Sequence, residues 1–210
     1  MKLDSIIFDL DGTLWDSTVT SSKIWTKIVG KYREVTDEIT ADKLKKLFGK
    51  PLSQIGEELF TSVDRKRAIE LINECCEKQN PFIAKEGGIL YADLEDTLEV
   101  LSKKYKLCIV SNCEAGYIES FFEAHNLGKY FVDYECPGRT RLYKADNIKL
   151  VVERNQLLHP IYVGDTLGDA MASKAAGLPF VCARYGFGSV TDYDYVIDSL
   201  KDLQTLVQNI

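Results

Sequence analysis

No apolar run in the 210-residue chain approaches the roughly 20 residues needed to cross a bilayer, which argues against a membrane-spanning helix. The N-terminal stretch also lacks the uncharged apolar segment of a signal peptide, because Asp4, Asp9 and Asp11 interrupt it, and the expected location is therefore cytoplasmic. Basic residues are in deficit: 26 Lys and Arg stand against 32 Asp and Glu, a formal net charge of −6. That balance removes the broad cationic face needed for nucleic acid or an anionic membrane, while leaving room for a small basic pocket around one anion. The six cysteines, Cys75, Cys76, Cys108, Cys113, Cys136 and Cys182, form no C-x-x-C pair, so neither zinc nor a disulfide scaffold is expected. They read as small hydrophobes in a reducing compartment, with Cys113 set apart because it follows a candidate functional loop. Histidine is scarce: His125 and His159 fall in polar connections near helix ends and are given no catalytic role. Heptads, internal repeats and low-complexity segments are missing too. What remains is 45% hydrophobic and 28% charged, an ordinary globular composition, long enough for one large domain or a core with a smaller insert.

The most informative stretch is Ile6-Ile7-Phe8-Asp9-Leu10-Asp11-Gly12-Thr13-Leu14. An apolar run that reads as a buried strand stops at two carboxylates and then at a turn signal. In an open α/β sheet the carboxyl end of a strand is where ligands sit, which places Asp9 at the rim of a crevice. Two close acids repel, and a hard cation such as Mg²⁺ takes oxygen ligands from one or two carboxylates while keeping positions for phosphate oxygens. An acidic turn after a core strand is the plainer alternative.

From Thr20 to about Phe82 apolar residues recur at helical spacing, as in Ile24, Ile28 and Tyr32, then Leu52, Ile55 and Leu59. The spacing predicts a small helical bundle with breaks at Gly49-Lys50-Pro51 and at Asn80-Pro81. Beyond it, helix and strand patterns alternate: helices over 94–105, 116–125, 144–156, 167–176 and 200–207, and strands over 107–110, 132–134, 161–163, 180–183 and 195–197. This order implies an α/β fold, a Rossmann-like parallel sheet with helices on both faces. The bundle becomes an insert after the first strand, with residues 16–84 as a helical insert domain and residues 1–15 and 85–210 as the core.

Three further loops carry polar groups at strand or helix ends. Ser111 and Asn112 follow the buried run Cys108-Ile109-Val110; a hydroxyl there can donate to a phosphate oxygen or serve as a helix cap. Asp165 and Asp169 follow Ile161-Tyr162-Val163-Gly164, spaced one helical turn apart, so that one can reach a metal while the other braces it, or both can complement a helix N-terminus. Lys144 opens a helix against the dipole preference for acids at that end. Its ammonium can offset clustered carboxylates and bind a phosphate, or it is a surface lysine.

Taken in order, Asp9-Leu10-Asp11-Gly12-Thr13, Ser111, Lys144 and Gly164-Asp165-Thr166-Leu167-Gly168-Asp169 resemble the haloacid dehalogenase superfamily of phosphohydrolases, in particular its phosphoglycolate-phosphatase-like members with a helical cap. Ala175-Ala176-Gly177-Leu178-Pro179-Phe180 and Cys136-Pro137-Gly138-Arg139 are similar to the segments that follow the last motif and precede the lysine. The resemblance implies that Asp9 is a nucleophile forming an aspartyl-phosphate, and that Asp11 is the acid and then the base. It implies Mg²⁺ held by Asp9, the Asp11 backbone carbonyl and Asp165, with Asp169 acting directly or through water. Gly12, Thr13, Ser111, Asn112 and Lys144 would hold the phosphoryl group. An aspartate at position 11 points to an oxygen leaving group, hence to small-molecule phosphate esters or anhydrides. Thr13 resembles the phosphatase form of the loop more than that of sugar-phosphate mutases, which remain the alternative enzyme; a catalytically silent binding protein of the same fold is the alternative outside catalysis. Lys50, in the turn between two helices of the insert, is a candidate for reading an anionic group on the substrate. The glycines of Gly186-Phe187-Gly188 lack the third glycine and the position of a dinucleotide fingerprint.

Overall fold

The computed structural model describes residues 2–210. The chain opens with β1 (Ser5–Phe8), followed by β2 (Trp15–Asp16) and four helices, α1 (Thr18–Val29), α2 (Ala41–Leu47), α3 (Leu52–Leu59) and α4 (Arg65–Glu86). Then come β3 (Ile89–Leu90), α5 (Leu94–Ser102), β4 (Lys106–Val110), α6 (Tyr117–His125), β5 (Asp133–Glu135), the short α7 (Pro137–Thr140) and α8 (Lys144–Arg154). The last elements are β6 (Pro160–Gly164), α9 (Leu167–Ala176), β7 (Phe180–Ala183), β8 (Tyr195–Ile197) and α10 (Asp202–Leu206).

Six strands form one sheet in the order β5-β4-β1-β6-β7-β8, every pair parallel. β1 is central, and its side chains divide between the two faces as strand periodicity requires. Ile6 and Phe8 belong to the core that includes Leu98 of α5, Phe121 of α6 and Leu203 of α10. Ile7 belongs to the opposite core, with Ile148 of α8 and Ala170 of α9. Burial on both faces explains why β1, β4 and β6 read as continuous apolar runs. After β1 the chain builds β4 and β5 on one side and then crosses to β6 on the other. The carboxyl end of β1 is thus a topological switch point, where a crevice opens. No helix among the described residues is long and apolar enough to cross a membrane.

The four helices α1–α4 lie between β2 and β3, which pair antiparallel through Trp15 with Leu90 and Asp16 with Ile89. These two-residue strands carry no readable sequence pattern. Thr40 and Asp64 cap α2 and α4 by accepting from the Lys43 and Arg67 amides. Gly56 lets α3 approach α4, since a Cβ there would fall 2.7 Å from Ile72 Cγ2. The break expected at Asn80-Pro81 does not occur: α4 runs unbroken from Arg65 to Glu86 with Pro81 inside it. Packing overrides the local penalty, because Asn80 Nδ2 donates to Ala115 O at 3.0 Å, and Ser120 Oγ of α6 donates to Asn80 O at 3.1 Å.

Candidate active site

Asp9 immediately follows β1, is 1% exposed, and donates its amide to Val163 O of β6 at 2.8 Å. Its carboxylate has unequal oxygens. Oδ1 accepts from Lys144 Nζ at 2.6 Å, whereas Oδ2 is buried with no partner among the described residues. Lys144, the first residue of α8 and 5% exposed, also donates to Asp169 Oδ1. The helix-opening lysine is therefore buried between two acids and is not a surface group. Burial works against its charge, but the Asp169 and Asp9 carboxylates hold its ammonium well above the ordinary lysine range. Asp9 is pushed well above the ordinary carboxylate range, first by burial and then by the Asp169 carboxylate, with Lys144 opposing.

Asp165 follows β6 and lies among the same acids: one ligand atom each from Asp9, Asp165 and Asp169 lies within 4.8 Å of the others. Burial and the Asp169 charge raise Asp165 to about 7, opposed by amides of Phe187 and Gly188 that donate to its Oδ2 at 2.7 and 3.3 Å. Gly12, at φ +85°, passes so close to Asp165 that a Cβ would collide with the carboxylate, and a Cβ at Gly186 would collide with Asp165 from the other side. Asp169 caps its helix and meets the lysine at once. Its Oδ2 closes a capping box on α9, accepting from Thr166 N and Oγ1 at 2.9 and 2.6 Å, while Oδ1 holds Lys144.

The three acids fit a divalent cation. An oxygen-only donor set suits a hard ion, three mutually repelling carboxylates face one ammonium, and Asp9 Oδ2 is a buried acceptor lacking a donor.

Asp11 is directed elsewhere. It is 8% exposed, and its Oδ1 accepts from Ser17 Oγ at 2.7 Å and Tyr117 Oη at 3.0 Å, the two hydroxyls lying 2.6 Å apart. Burial raises its carboxyl to about 6, against the lowering effect of these two hydroxyls. Asp9 and Asp11 thus differ in partners as well as position.

The remaining expected residues surround this pair unevenly. Ser111 is buried and lines the same cavity as Asp9 and Asp11. It does not cap α6, whose N-cap is Gly116. Asn112 Nδ2 donates to Gly49 O in the α2–α3 turn at 2.9 Å, joining the insert to the strand-end loops. The Gly12 and Thr13 amides donate to Trp15 O and Leu10 O within their own turn, at 2.9 and 3.2 Å, and Thr13 Oγ1 donates to Asp165 Oδ1 at 3.3 Å. Lys50 pairs with Glu58 at 2.6 Å and lines an outer groove shared with Lys144. The cavity over Asp9 and Asp11, about 40 Å³, is lined on the insert side by Trp25, Phe48, Leu52, Ile55 and Gln79.

Residues not singled out from sequence include Ser17, Tyr117 and Tyr162. Tyr162 Oη donates to Val110 O at 2.7 Å, and its ring lies 5.6 Å below Lys144 Nζ. The Gly186-Phe187-Gly188 loop, set aside as a dinucleotide motif, supplies the amides that hold Asp165. Two glycines just after a strand were its only signal.

A sequence profile of haloacid dehalogenase-like hydrolases matches residues 6–183. The chain belongs to that family and is a phosphatase of the haloacid dehalogenase type. It is 29% identical to the phosphoglycolate phosphatase of Vibrio parahaemolyticus, over 96% of this chain and 95% of the relative. Identity to the Shigella dysenteriae phosphoglycolate phosphatase is 26%, over 94% and 90% of the two chains. Among solved structures, a protein from Clostridium acetobutylicum described as a predicted phosphatase superposes with a TM-score of 0.84 at 22% identity, covering 100% of both chains. CbbY from Rhodobacter sphaeroides, solved with phosphate, gives 0.76 at 15% identity over 99% and 100%. These superpositions establish the shared fold.

Proposed function

We propose that the chain hydrolyses small-molecule phosphate monoesters with Mg²⁺ through an aspartyl-phosphate on Asp9. The observation that carries this reading is the division of labour between the first two acids. Asp9 has one oxygen fixed by Lys144 and the other without a partner, while Asp11 is held apart by Ser17 and Tyr117.

Asp9 attacks phosphorus in line, forming an O–P bond as the bond to the alcohol oxygen breaks, and Asp11 gives its proton to that departing oxygen. A water then attacks the acyl phosphate, Asp11 takes its proton, and inorganic phosphate leaves with Asp9 restored. A carboxyl raised to about 6 exists in both protonation states near neutrality, as such a dual role requires. Asp9, the Asp11 carbonyl and Asp165 would hold Mg²⁺, with Asp169 bracing the set. The ion would supply positive charge that offsets repulsion between Asp9 and an incoming dianion. Ser111, Asn112, Lys144 and the Gly12-Thr13 turn would hold the phosphoryl oxygens, a positional and electrostatic task.

Residues 16–84 act as a cap domain over a core of residues 1–15 and 85–210, closing the cavity and excluding water. The Asn112–Gly49 hydrogen bond supports this closed arrangement.

Rapid quenching during turnover, followed by peptide mass spectrometry, tests the reading. Phosphate on the Asp9 peptide is expected. Its absence, with unimpaired turnover by Asp9→Asn, overturns the mechanism.

A further inference from the structure

The cavity over Asp9 and Asp11 has an unusual charge balance for a site that binds a phosphorylated substrate. Its carboxylates are Asp9, Asp11 and Glu114, with no lysine, arginine or histidine among the described residues that line it. The nearby lysines are committed elsewhere. Lys144 lies between Asp9 and Asp169, Lys50 pairs with Glu58 at 2.6 Å, and Lys45 pairs with Asp16 at 2.9 Å. Lys45, Lys50 and Lys144 line the outer groove and not this cavity.

On the insert side the lining is apolar and aromatic apart from Gln79. Trp25 and Phe48 have ring centroids 5.8 Å apart. Gln79 is 4% exposed, and its Oε1 accepts from Trp25 Nε1 at 2.8 Å and from Ser21 Oγ at 3.3 Å. An indole N–H can only donate, so the amide orientation is fixed. Gln79 lines the cavity, and its NH₂ group has no acceptor among the described residues. Glu114 lines the same cavity, and its half-buried carboxylate has no ion-pair partner among them.

We propose that this cavity selects phosphate monoesters of short alcohols carrying no negative charge, holding a neutral or ammonium-bearing alcohol between Gln79 and Glu114 against Trp25 and Phe48. The inference rests on the phosphatase reading and names the substrate class of the same site. A hydroxyl can accept from the Gln79 amide and donate to Glu114. An ammonium meets the Glu114 charge and the faces of the two rings. A carboxylate such as that of phosphoglycolate would lose water and face the Glu114 charge, with no lysine, arginine or histidine in the cavity lining to replace it. The cavity beside Asp9 and Asp11 is small, about 40 Å³, which favours a short alcohol.

The test compares kcat/KM for three two-carbon esters: ethyl phosphate, phosphoethanolamine and phosphoglycolate. Phosphoglycolate is expected to be poorest, by about tenfold or more, the scale on which one uncompensated like charge discriminates. Equal or better turnover of phosphoglycolate overturns the proposal while leaving the phosphatase reading intact. Failure of all three esters and of p-nitrophenyl phosphate removes the phosphatase reading and the selectivity with it. Glu114→Gln is expected to lower the phosphoethanolamine-to-phosphoglycolate ratio by about tenfold, and Glu114→Lys to lower it further. An unchanged ratio in a Glu114→Gln protein with wild-type circular dichroism overturns the role of Glu114.

Discussion

Lys144 Nζ lies 2.6 Å from Asp9 Oδ1, both groups being almost wholly buried, and the same ammonium also reaches Asp169. One cation therefore contacts two of the three clustered carboxylates while offsetting a single charge, and the remaining negative charge is what a divalent ion would meet. Stability and the proposed hold on phosphate are joined in this one side chain.

Replacing Lys144 with Met leaves the acids without their counter-charge. Removing one partner from a buried pair costs about 3 to 5 kcal/mol, so urea unfolding at neutral pH is expected to show a loss of that size together with loss of turnover. Asp9→Asn removes a repelling charge and should unfold no earlier than the wild type while being inactive. A large loss of stability in Asp9→Asn would mean that Lys144 depends on Asp9 more than on Asp169.

The raised acids fix the sign of the pH dependence in metal-free protein. Asp11 and Asp165, at about 6 and about 7 when folded, bind protons more tightly in the native state than in the unfolded chain. Their contribution is fully present below the unfolded value near 3.8 and is lost as pH rises through the folded values. Melting temperature without metal should fall between about pH 4 and about pH 7. Added Mg²⁺ should raise it more at pH 8 than at pH 5, where it competes with protons. A uniform shift at both pH values would count against carboxylate ligation.

Asp11 as acid predicts a dependence on the leaving group. Asp11→Asn should lower kcat for an alkyl phosphate by about 10²- to 10⁴-fold, and less for p-nitrophenyl phosphate, whose departing oxygen needs little protonation. Equal losses for both esters would place Asp11 outside proton transfer.

Tyr117 Oη and Ser17 Oγ hold the ionised form of Asp11. Tyr117→Phe withdraws one stabilising donor, so the Asp11 carboxyl should titrate above its value of about 6, moving the limb of the kcat–pH profile that reports it toward higher pH with little change in KM. An unmoved profile would reduce Tyr117 to packing against Trp15, whose ring lies 5.8 Å away.

Gly186→Ala tests the loop that braces Asp165. A Cβ would strike the Asp165 side chain and the Gly12 carbonyl oxygen, and overpacking of this kind costs about 1 to 3 kcal/mol. The Mg²⁺ concentration for half-maximal activity should rise as the Phe187 and Gly188 amides move away. A wild-type melting curve would show that the loop yields freely.

The legible parts of the molecule were those written locally. Ile6-Ile7-Phe8, Cys108-Ile109-Val110 and Ile161-Tyr162-Val163 read as buried strands because both faces are covered, and the acids that end the first and third marked the rim of the crevice. The order of Asp9, Asp11, Ser111, Lys144 and Asp165 carried the family. Long-range contacts were hidden. Tyr117 meets Asp11 across 106 residues and Phe187 meets Asp165 across 22, and neither spacing leaves a periodic trace. Pro81 was misread because a breaker signal is local, whereas the packing of α4 on α6 that retains the helix is not. Lys50 could not be oriented from sequence, since its pairing with Glu58 depends on the start of α3.

The pairing of Trp15 with Leu90 and of Asp16 with Ile89 means that the peptide enters and leaves the helical insert through adjacent strands, about 5 Å apart. A segment with neighbouring ends is a cassette: its helices can be exchanged for others at the Asp16 and Ile89 seams without stretching the sheet. On the proposed function, the part that surrounds the alcohol can then diversify while the part that handles phosphorus stays fixed. Grafting a foreign helical bundle at those seams should transplant ester preference and leave phosphoryl chemistry in place.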